Sequence, residues 1–379
     1  MYKSYDYIIV GAGIAGVCTA YFLSKYSKSV LLIDKNDCLL SEASSAAGAF
    51  LSPLLGKENP FKALVSDSLD FSIDFYKEIL KDDFINCGVC RIPKDENDKQ
   101  KFEEYESFMD FEYEKTDKGY FFDIGSRITP KNFAQKIKNE FETLLNYKVF
   151  SLKQDEKFMW IVNDELITSN LILATGHNVN LIKEDYLKIR PVWGQKIDIL
   201  TSSINCINYH KECSVSSSSK HENNRHLISI GATHHRFNES SDLECKKLLK
   251  EIEEKNNEKL LSLAQDIINL KDIEIIDIKV GARSCSVDYF PMLGELIDSK
   301  ATIEKYPHLV NGSFVTDDKL VKKKNLYIIN GVGGRGFVLS PYLANSLVEF
   351  LINKKAINES ILTNRLFKRW VKKIKLNNR

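Results

Sequence analysis

Neither sign of charge dominates this 379-residue chain: 53 lysines and arginines face 52 aspartates and glutamates, for a net charge of +1. A protein held to nucleic acid or to a membrane by its overall field is thereby excluded, and any such partner must be read from local patches. A disulfide framework is also not expected. The eight cysteines, at 18, 38, 87, 90, 206, 213, 245 and 285, are scattered along a long chain, which fits reduced thiols in a cytoplasm. Cys87 and Cys90 form one C-x-x-C, but no second pair follows to complete a zinc site, so no metal is expected; a redox pair and two inert thiols both stay open. Internal repeats, a P-loop and a Ser-His-Asp order are missing. The longest apolar stretch, 7–23 (YIIVGAGIAGVCTAYFL), could be taken for a signal peptide or membrane anchor. Three glycines at motif spacing interrupt it and an acid-ended strand follows, so no membrane association is expected. What remains is ordinary globular composition, 43% hydrophobic and 28% charged, long enough for two or three domains.

The order of elements points to an α/β fold, α+β overall. Residues 5–10 predict a buried strand ending at Gly11. From Ile14 the apolar positions Val17, Cys18, Tyr21 and Phe22 fall on one helical face, and 29–33 predict a second strand closed by Asp34. LILATG at 171–176 and the run 325–351 read as later strands feeding the same site. In the second of these a strand enters a glycine turn and then a helix, with Pro341 fitting only near the helix start. Residues 189–240 and 272–294 alternate apolar and polar residues like an antiparallel sheet with one wet face. Residues 94–118 carry ten acidic and five basic side chains and read as a solvated amphipathic excursion. Residues 242–268 are helical in period, and SVSSSSK at 214–220 reads as a mobile loop. The expected division is a Rossmann-like nucleotide domain at 1–86, 119–188 and 318–379, with an inserted antiparallel-sheet substrate domain at 87–118 and 189–317.

GAGIAG at 11–16 matches G-x-G-x-x-G. Gly11 permits the tight turn, Gly13 lets the backbone approach a pyrophosphate, and Gly16 lets helix and strand pack closely. The phosphates would sit on the helix N-terminus, and Asp34 would accept ribose hydroxyls. The chain returns to this place with small residues at 44–48, 174–176 and 331–336. Three such returns suit a long, buried cofactor such as FAD better than a nicotinamide dinucleotide. The expected cofactor contacts are Gly11, Gly13, Ile14, Ala15, Gly16, Asp34, Lys35, Ser45, Ala46, Ala47, Gly48, Val149, Ala174, Thr175, Gly176, Gly331, Gly333, Gly334, Arg335, Gly336 and Phe337. The final glycine turn has no cysteine, so the FAD is expected to be non-covalent.

These motifs, with GARSCSVDYFPMLGE at 281–295, resemble the glycine-oxidase/D-amino-acid-oxidase family of flavoproteins. SSAAGAFLSPLLGKENP at 44–60, ATGH at 174–177, RPVWGQ at 190–195, GVGGRGFVLSP at 331–341 and the basic TNRLFKRWVKK at 363–373 narrow the likeness. They are similar to the FAD domain of bifunctional tRNA 5-methylaminomethyl-2-thiouridine biosynthesis proteins. Ala46 and Ala47 stand where such relatives often carry polar or basic residues. The resemblance implies FAD-dependent oxidation of the 5-carboxymethylaminomethyl group of a wobble uridine in tRNA. The products would be 5-aminomethyluridine and glyoxylate, with any methyltransferase a separate partner. A small-molecule oxidase for glycine, sarcosine or a D-amino acid, and a non-catalytic flavin-bearing RNA-binding protein, are the alternatives.

Arg283 is the first candidate for substrate binding, because a guanidinium fork grips a carboxylate bidentately; the resemblance implies the same role, and a surface ion pair is the bland alternative. Arg335 could face flavin, substrate or solvent. His177 follows ATG and could be a base, an orienting group or a hydrogen-bonded buried histidine. His234 and His235 are neighbours on an expected strand and so point to opposite faces. Residues 354–379 hold nine basic side chains against Glu359, and Leu362, Leu366, Phe367 and Trp370 give the tail an apolar face. The tail is therefore expected to dock on the protein and present Lys368, Arg369, Lys372 and Lys373 to RNA phosphates.

Overall fold

The computed structural model describes residues 2–239 and 241–377. Two sheets organise it. The path of the first runs Met292–Ile297, Lys322–Asn330, Leu166–Leu173, Lys3–Val10, Val30–Ile33 and Glu142–Leu144. All neighbours on that path are parallel except the first pair, which is antiparallel. Two short strands, Trp160–Val162 and Leu152–Gln154, extend from it antiparallel. The central strand Lys3–Val10 is apolar on both sides for a visible reason. Ile9 faces a core built with helices Ile14–Ser24, Pro60–Leu80 and Gly336–Asn353, while Ile8 faces the opposite core.

Pro341 lies in the second turn of helix Gly336–Asn353, deeper than its missing N–H suggests. The carbonyl it deprives, Phe337 O, is met from the long helix Pro60–Leu80, which also reaches its neighbour Val338 O. Tyr76 Oη donates to Phe337 O at 3.1 Å and Ser72 Oγ donates to Val338 O at 2.6 Å. The opposite core receives the C-terminal helix Asn364–Asn377. Leu366, Phe367 and Val371 are buried there, while Lys368, Arg369, Lys372 and Lys373 stay exposed. Lys368 pairs with Asp317 at 2.5 Å, and Lys372 lies over the exposed ring of Phe314. Of the basic tail, Arg379 and the Lys375 side chain lie outside the described residues.

The second sheet runs Glu274–Ser286, Ile189–Thr201, His226–Gly231, Ser214–Val215, Asn208–His210, Val89–Arg91, Tyr120–Phe122 and Glu114–Lys115. Ile197, Ile199, Ile228 and Ile230 pack on Leu260 and Ala264 of helix Glu253–Gln265. Sheet membership divides the chain at other points than the sequence reading. Tyr120–Phe122 pairs with Val89–Arg91 in the second sheet, and Met292–Ile297 crosses into the first. Met292–Ile297 is almost wholly buried, in keeping with a sheet that carries a core on each face.

SVSSSSK is not a mobile loop. Ser216 is fully buried, with Oγ accepting from Ser229 N at 2.9 Å, and Asn205 and Asn208 satisfy the backbone around it. Within the acidic excursion, helix Glu96–Tyr105 buries only Phe102, which packs on Tyr120. Among the described residues, no helix is long and apolar enough to cross a membrane.

Candidate active site

One cavity of about 1340 Å³ lies between the two sheets, lined from both. It exceeds the roughly 300–1,000 Å³ typical of small-ligand sites. At one end stands helix Ile14–Ser24, which starts at Gly13 with no side-chain cap of its own and no acid in its first turn. Its positive end therefore faces the cavity. Ile14 N donates to Ser44 Oγ at 3.0 Å, so a neighbouring segment meets the first of its free N–H groups.

The three glycines divide their work. A Cβ at Gly11 would lie 2.3 Å from Ala174 O, and one at Gly16 1.8 Å from Gly11 O, so both are fixed by chain packing. A Cβ at Gly13 would meet only Ser44 Oγ, at an ordinary 3.5 Å. The protein leaves that space open, and what a side chain there would obstruct is a ligand. Asp34 Oδ2 accepts from Ala12 N at 2.6 Å and Oδ1 from Asn36 N at 2.8 Å, which ties the acid to the glycine loop while it still lines the cavity.

At the other end three arginines converge. Arg283 Nη1 donates to Thr233 O at 3.1 Å, and Arg335 Nη1 to Ser52 O at 3.1 Å. Arg91 Nη1 donates to Pro53 O at 2.9 Å, and its buried Nε has no partner. None of the three has a carboxylate within ion-pair distance among the described residues, where the arginine pairs are Arg225–Glu274 and Arg365–Asp288. Burial lowers the pKa of each, and for Arg335 the charge of Arg91 adds to it. A guanidinium held out of water without a counter-charge is costly, so this wall is built to receive an anion.

The histidines differ in kind. His177 Nε2 is 2.7 Å from Asp242 Oδ1, and the ring packs edge-on to Trp193; its place is that of an anchored wall residue. His210 Nδ1 lies 2.7 Å from Ser214 Oγ. Burial, then Arg91 and Arg335, hold His210 well below the usual imidazole range. His234 is held down to about 4, by burial first and then by Arg283. Both are neutral at pH 7 and face the cavity, whereas His235 turns to Asn256 at 3.0 Å and stacks on Phe237.

The cavity gathers nearly every residue the sequence singled out. Among the expected cofactor contacts and the candidates Arg283, Arg335 and His177, Gly16 and Ser45 are the exceptions. Gly16 packs behind the loop, and Ser45 Oγ is spent on Glu42 O at 3.0 Å, while its neighbour Ser44 lines the cavity. Sequence reasoning missed Ser44, Arg91, Gly194 and His210. Gly194 carried a signal in RPVWGQ: a Cβ there would lie 2.7 Å from Arg283 Nη1.

The family model described as FAD dependent oxidoreductase (DAO) matches residues 6–350. The chain belongs to this family. It is an FAD-dependent oxidoreductase, and the cavity fits that cofactor. The Gly13 gap, the open helix end and Asp34 form one end, and the orphaned buried Nδ2 of Asn330 marks the glycine turn at the other. Among relatives, the chain is 24% identical to the tRNA 5-methylaminomethyl-2-thiouridine biosynthesis bifunctional protein MnmC of Campylobacter fetus, over 96% of this chain and 59% of that protein. To the MnmC of Legionella pneumophila strain Lens it is 25% identical, over 95% and 55%. The chain thus spans somewhat over half the length of the curated relatives it matches. Among solved structures, glycine oxidase from Geobacillus kaustophilus superposes with a TM-score of 0.69 at 17% identity, covering 94% of this chain and 96% of that one. That similarity is one of fold.

Proposed function

We propose that this DAO-family chain is a cytoplasmic tRNA-modifying oxidase. Its substrate would be the 5-carboxymethylaminomethyl side chain of a wobble uridine: two-electron oxidation of the carboxymethyl carbon gives an imine, and water cleaves it to glyoxylate, leaving 5-aminomethyluridine on the tRNA. The observation that carries the reading is Arg283, a guanidinium on the wall of the cofactor cavity with no carboxylate partner among the described residues. The names of the relatives supply the RNA. Chemically the side chain is an N-substituted glycine, and its carboxylate matches the Arg283 fork.

The first sheet and its helices would be the FAD-binding unit, and the second sheet the substrate unit. Bound FAD supplies the two-electron acceptor for the carboxymethyl carbon. Gly11, Gly13, Ile14 and Ala15 would hold its pyrophosphate, Asp34 its ribose, and the turn Gly331–Gly336 its ring end. Arg283 fixes the substrate carboxylate and so places the reacting carbon. His234 and His210, neutral at working pH, let the secondary amine stay unprotonated and can take up a proton released from nitrogen. Arg335 and Arg91 favour negative charge developing at this end of the cavity.

A small-molecule amino-acid oxidase is the second reading, favoured by the glycine oxidase fold. The two separate in one assay, in which hydrogen peroxide or dye reduction is followed with hypomodified tRNA and with free glycine or N-methylglycine. Turnover of tRNA supports the first reading; turnover of the free amines alone supports the second.

A further inference from the structure

We propose that Tyr289 is the stacking platform for the nucleobase that carries the reacting side chain. This rests on the tRNA reading above and adds a specificity residue to it. Tyr289 lines the cavity and yet is 63% exposed, so its ring belongs to the rim rather than to the core. It stands three residues beyond the strand Glu274–Ser286 that carries Arg283. Its backbone has φ +68°, a conformation in which glycine or asparagine is the ordinary choice. A large flat side chain held there works against local preference.

The loop is held firmly on both sides of Tyr289. Arg365 Nε and Nη2 donate to the two oxygens of Asp288 at 2.9 and 3.1 Å, and Nη2 also donates to Phe290 O at 2.8 Å. Ser286 Oγ donates to Asp288 Oδ1 at 3.0 Å, and the Phe290 ring sits edge-on to Phe61, itself a cavity residue. The backbone is thus fixed while the tyrosine side chain stays largely exposed at the cavity rim.

Arg365 also belongs to the first turn of helix Asn364–Asn377, whose exposed face carries Lys368, Arg369, Lys372 and Lys373. One residue therefore ties the aromatic rim to a basic helix. An unstacked base laid on an aromatic ring, with its strand's phosphates on nearby cations, is how proteins hold single-stranded RNA. The aim of the device is to hold the splayed uridine at the mouth while its side chain reaches Arg283.

The test uses the FAD-loaded protein with two probes: tRNA bearing 5-carboxymethylaminomethyluridine, and N-methylglycine, which has no base. The variants are Tyr289→Gly, which suits the backbone and removes the ring, and Tyr289→Phe, which keeps it. The readout is the ratio of kcat/KM for tRNA to that for N-methylglycine. Tyr289→Gly should lower the ratio by roughly 5- to 150-fold, the range of one lost base stack, chiefly through KM for tRNA, and Tyr289→Phe should restore it. An unchanged ratio in Tyr289→Gly overturns the platform, as does a Tyr289→Phe variant as impaired as the glycine one. If the wild-type protein oxidises N-methylglycine and leaves the tRNA untouched, the tRNA reading itself fails and takes the platform with it.

Discussion

The Arg283 guanidinium occupies the space that any side chain at position 194 would need. A Cβ on Gly194 would lie 2.7 Å from Arg283 Nη1, 2.8 Å from Nη2 and 2.7 Å from Thr233 O, the carbonyl to which Nη1 donates. Two strands of the second sheet are thereby matched, the glycine of one shaped to the arginine of its neighbour across the Gly194–Gly281 and Val192–Arg283 register.

Gly194→Ala should push the guanidinium from its place and raise KM with little loss of bound FAD. Arg283→Ala should cut kcat/KM further, each missing charge-assisted hydrogen bond being worth about 1.5–3 kcal/mol. Arg283→Lys should rescue poorly, because an ammonium lacks the planar fork. Steady-state kinetics with FAD absorbance as the control decides it; wild-type kcat/KM in Arg283→Ala would remove that residue from the site.

Gly13→Val should abolish FAD retention while leaving the fold intact, since a Cβ there stands at ordinary contact distance from its one near protein neighbour, Ser44 Oγ. Acid precipitation of the wild-type protein should release all flavin into the supernatant. Cys285 is the cysteine that lines the cavity, and burial pushes its thiol up, away from the nucleophilic thiolate. Yellow colour in the pellet would contradict this.

The carbonyl freed by Pro341 makes Tyr76 a stability residue. Tyr76→Phe should lower stability by about 1–3 kcal/mol, the cost of a buried acceptor left unmet. Adding Pro341→Ala, which restores an N–H donor to Phe337 O, should remove most of that loss. A thermal-melt double-mutant cycle measures the coupling, and strict additivity would contradict it.

Acid should weaken the protein through its histidines. His210 and His234 are held below the ordinary value of 6.5 in the folded state, so below that pH the unfolded chain binds more protons. The stability they contribute is complete above about pH 6.5 and drains as pH falls toward 4. Tm measured from pH 7.5 to 4.5 should fall, and His210→Gln should flatten the slope.

Charge reversal at Lys368, Arg369, Lys372 and Lys373 should raise KM for tRNA and leave the flavin spectrum unchanged. Each phosphate that the helix no longer neutralises should flatten the log–log salt dependence by about 0.7–0.9. Lys368 already neutralises Asp317, so its reversal alone should matter for stability as well as for RNA. An unchanged KM and salt slope would take the tail out of RNA binding.

What the sequence discloses follows from range. The strand–turn–helix around Gly11–Gly16 and its acid Asp34 are local, and periodicity with glycine spacing describes them well. The cavity wall of the second sheet is not local. Arg91, Gly194, His210 and Arg283 come from four segments whose meeting depends on strand order, which no short motif encodes. Ser44 and Ser45 differ by one helical step, too fine for a loop of small residues to disclose. SVSSSSK misleads because serine composition resembles a linker, while Asn205, Asn208 and Ser229 supply the hydrogen bonds that let it be buried. The strand Met292–Ile297 misleads because Gly294 and Glu295 interrupt its apolar run, so its burial on both faces shows only once its partner Lys322–Asn330 is known.

The most direct measurement is nucleoside mass analysis of tRNA carrying 5-carboxymethylaminomethyluridine after incubation with the FAD-loaded protein. The account predicts loss of the carboxymethyl group to give 5-aminomethyluridine, with an equal amount of glyoxylate. Unchanged tRNA beside brisk oxidation of free glycine or N-methylglycine would contradict it.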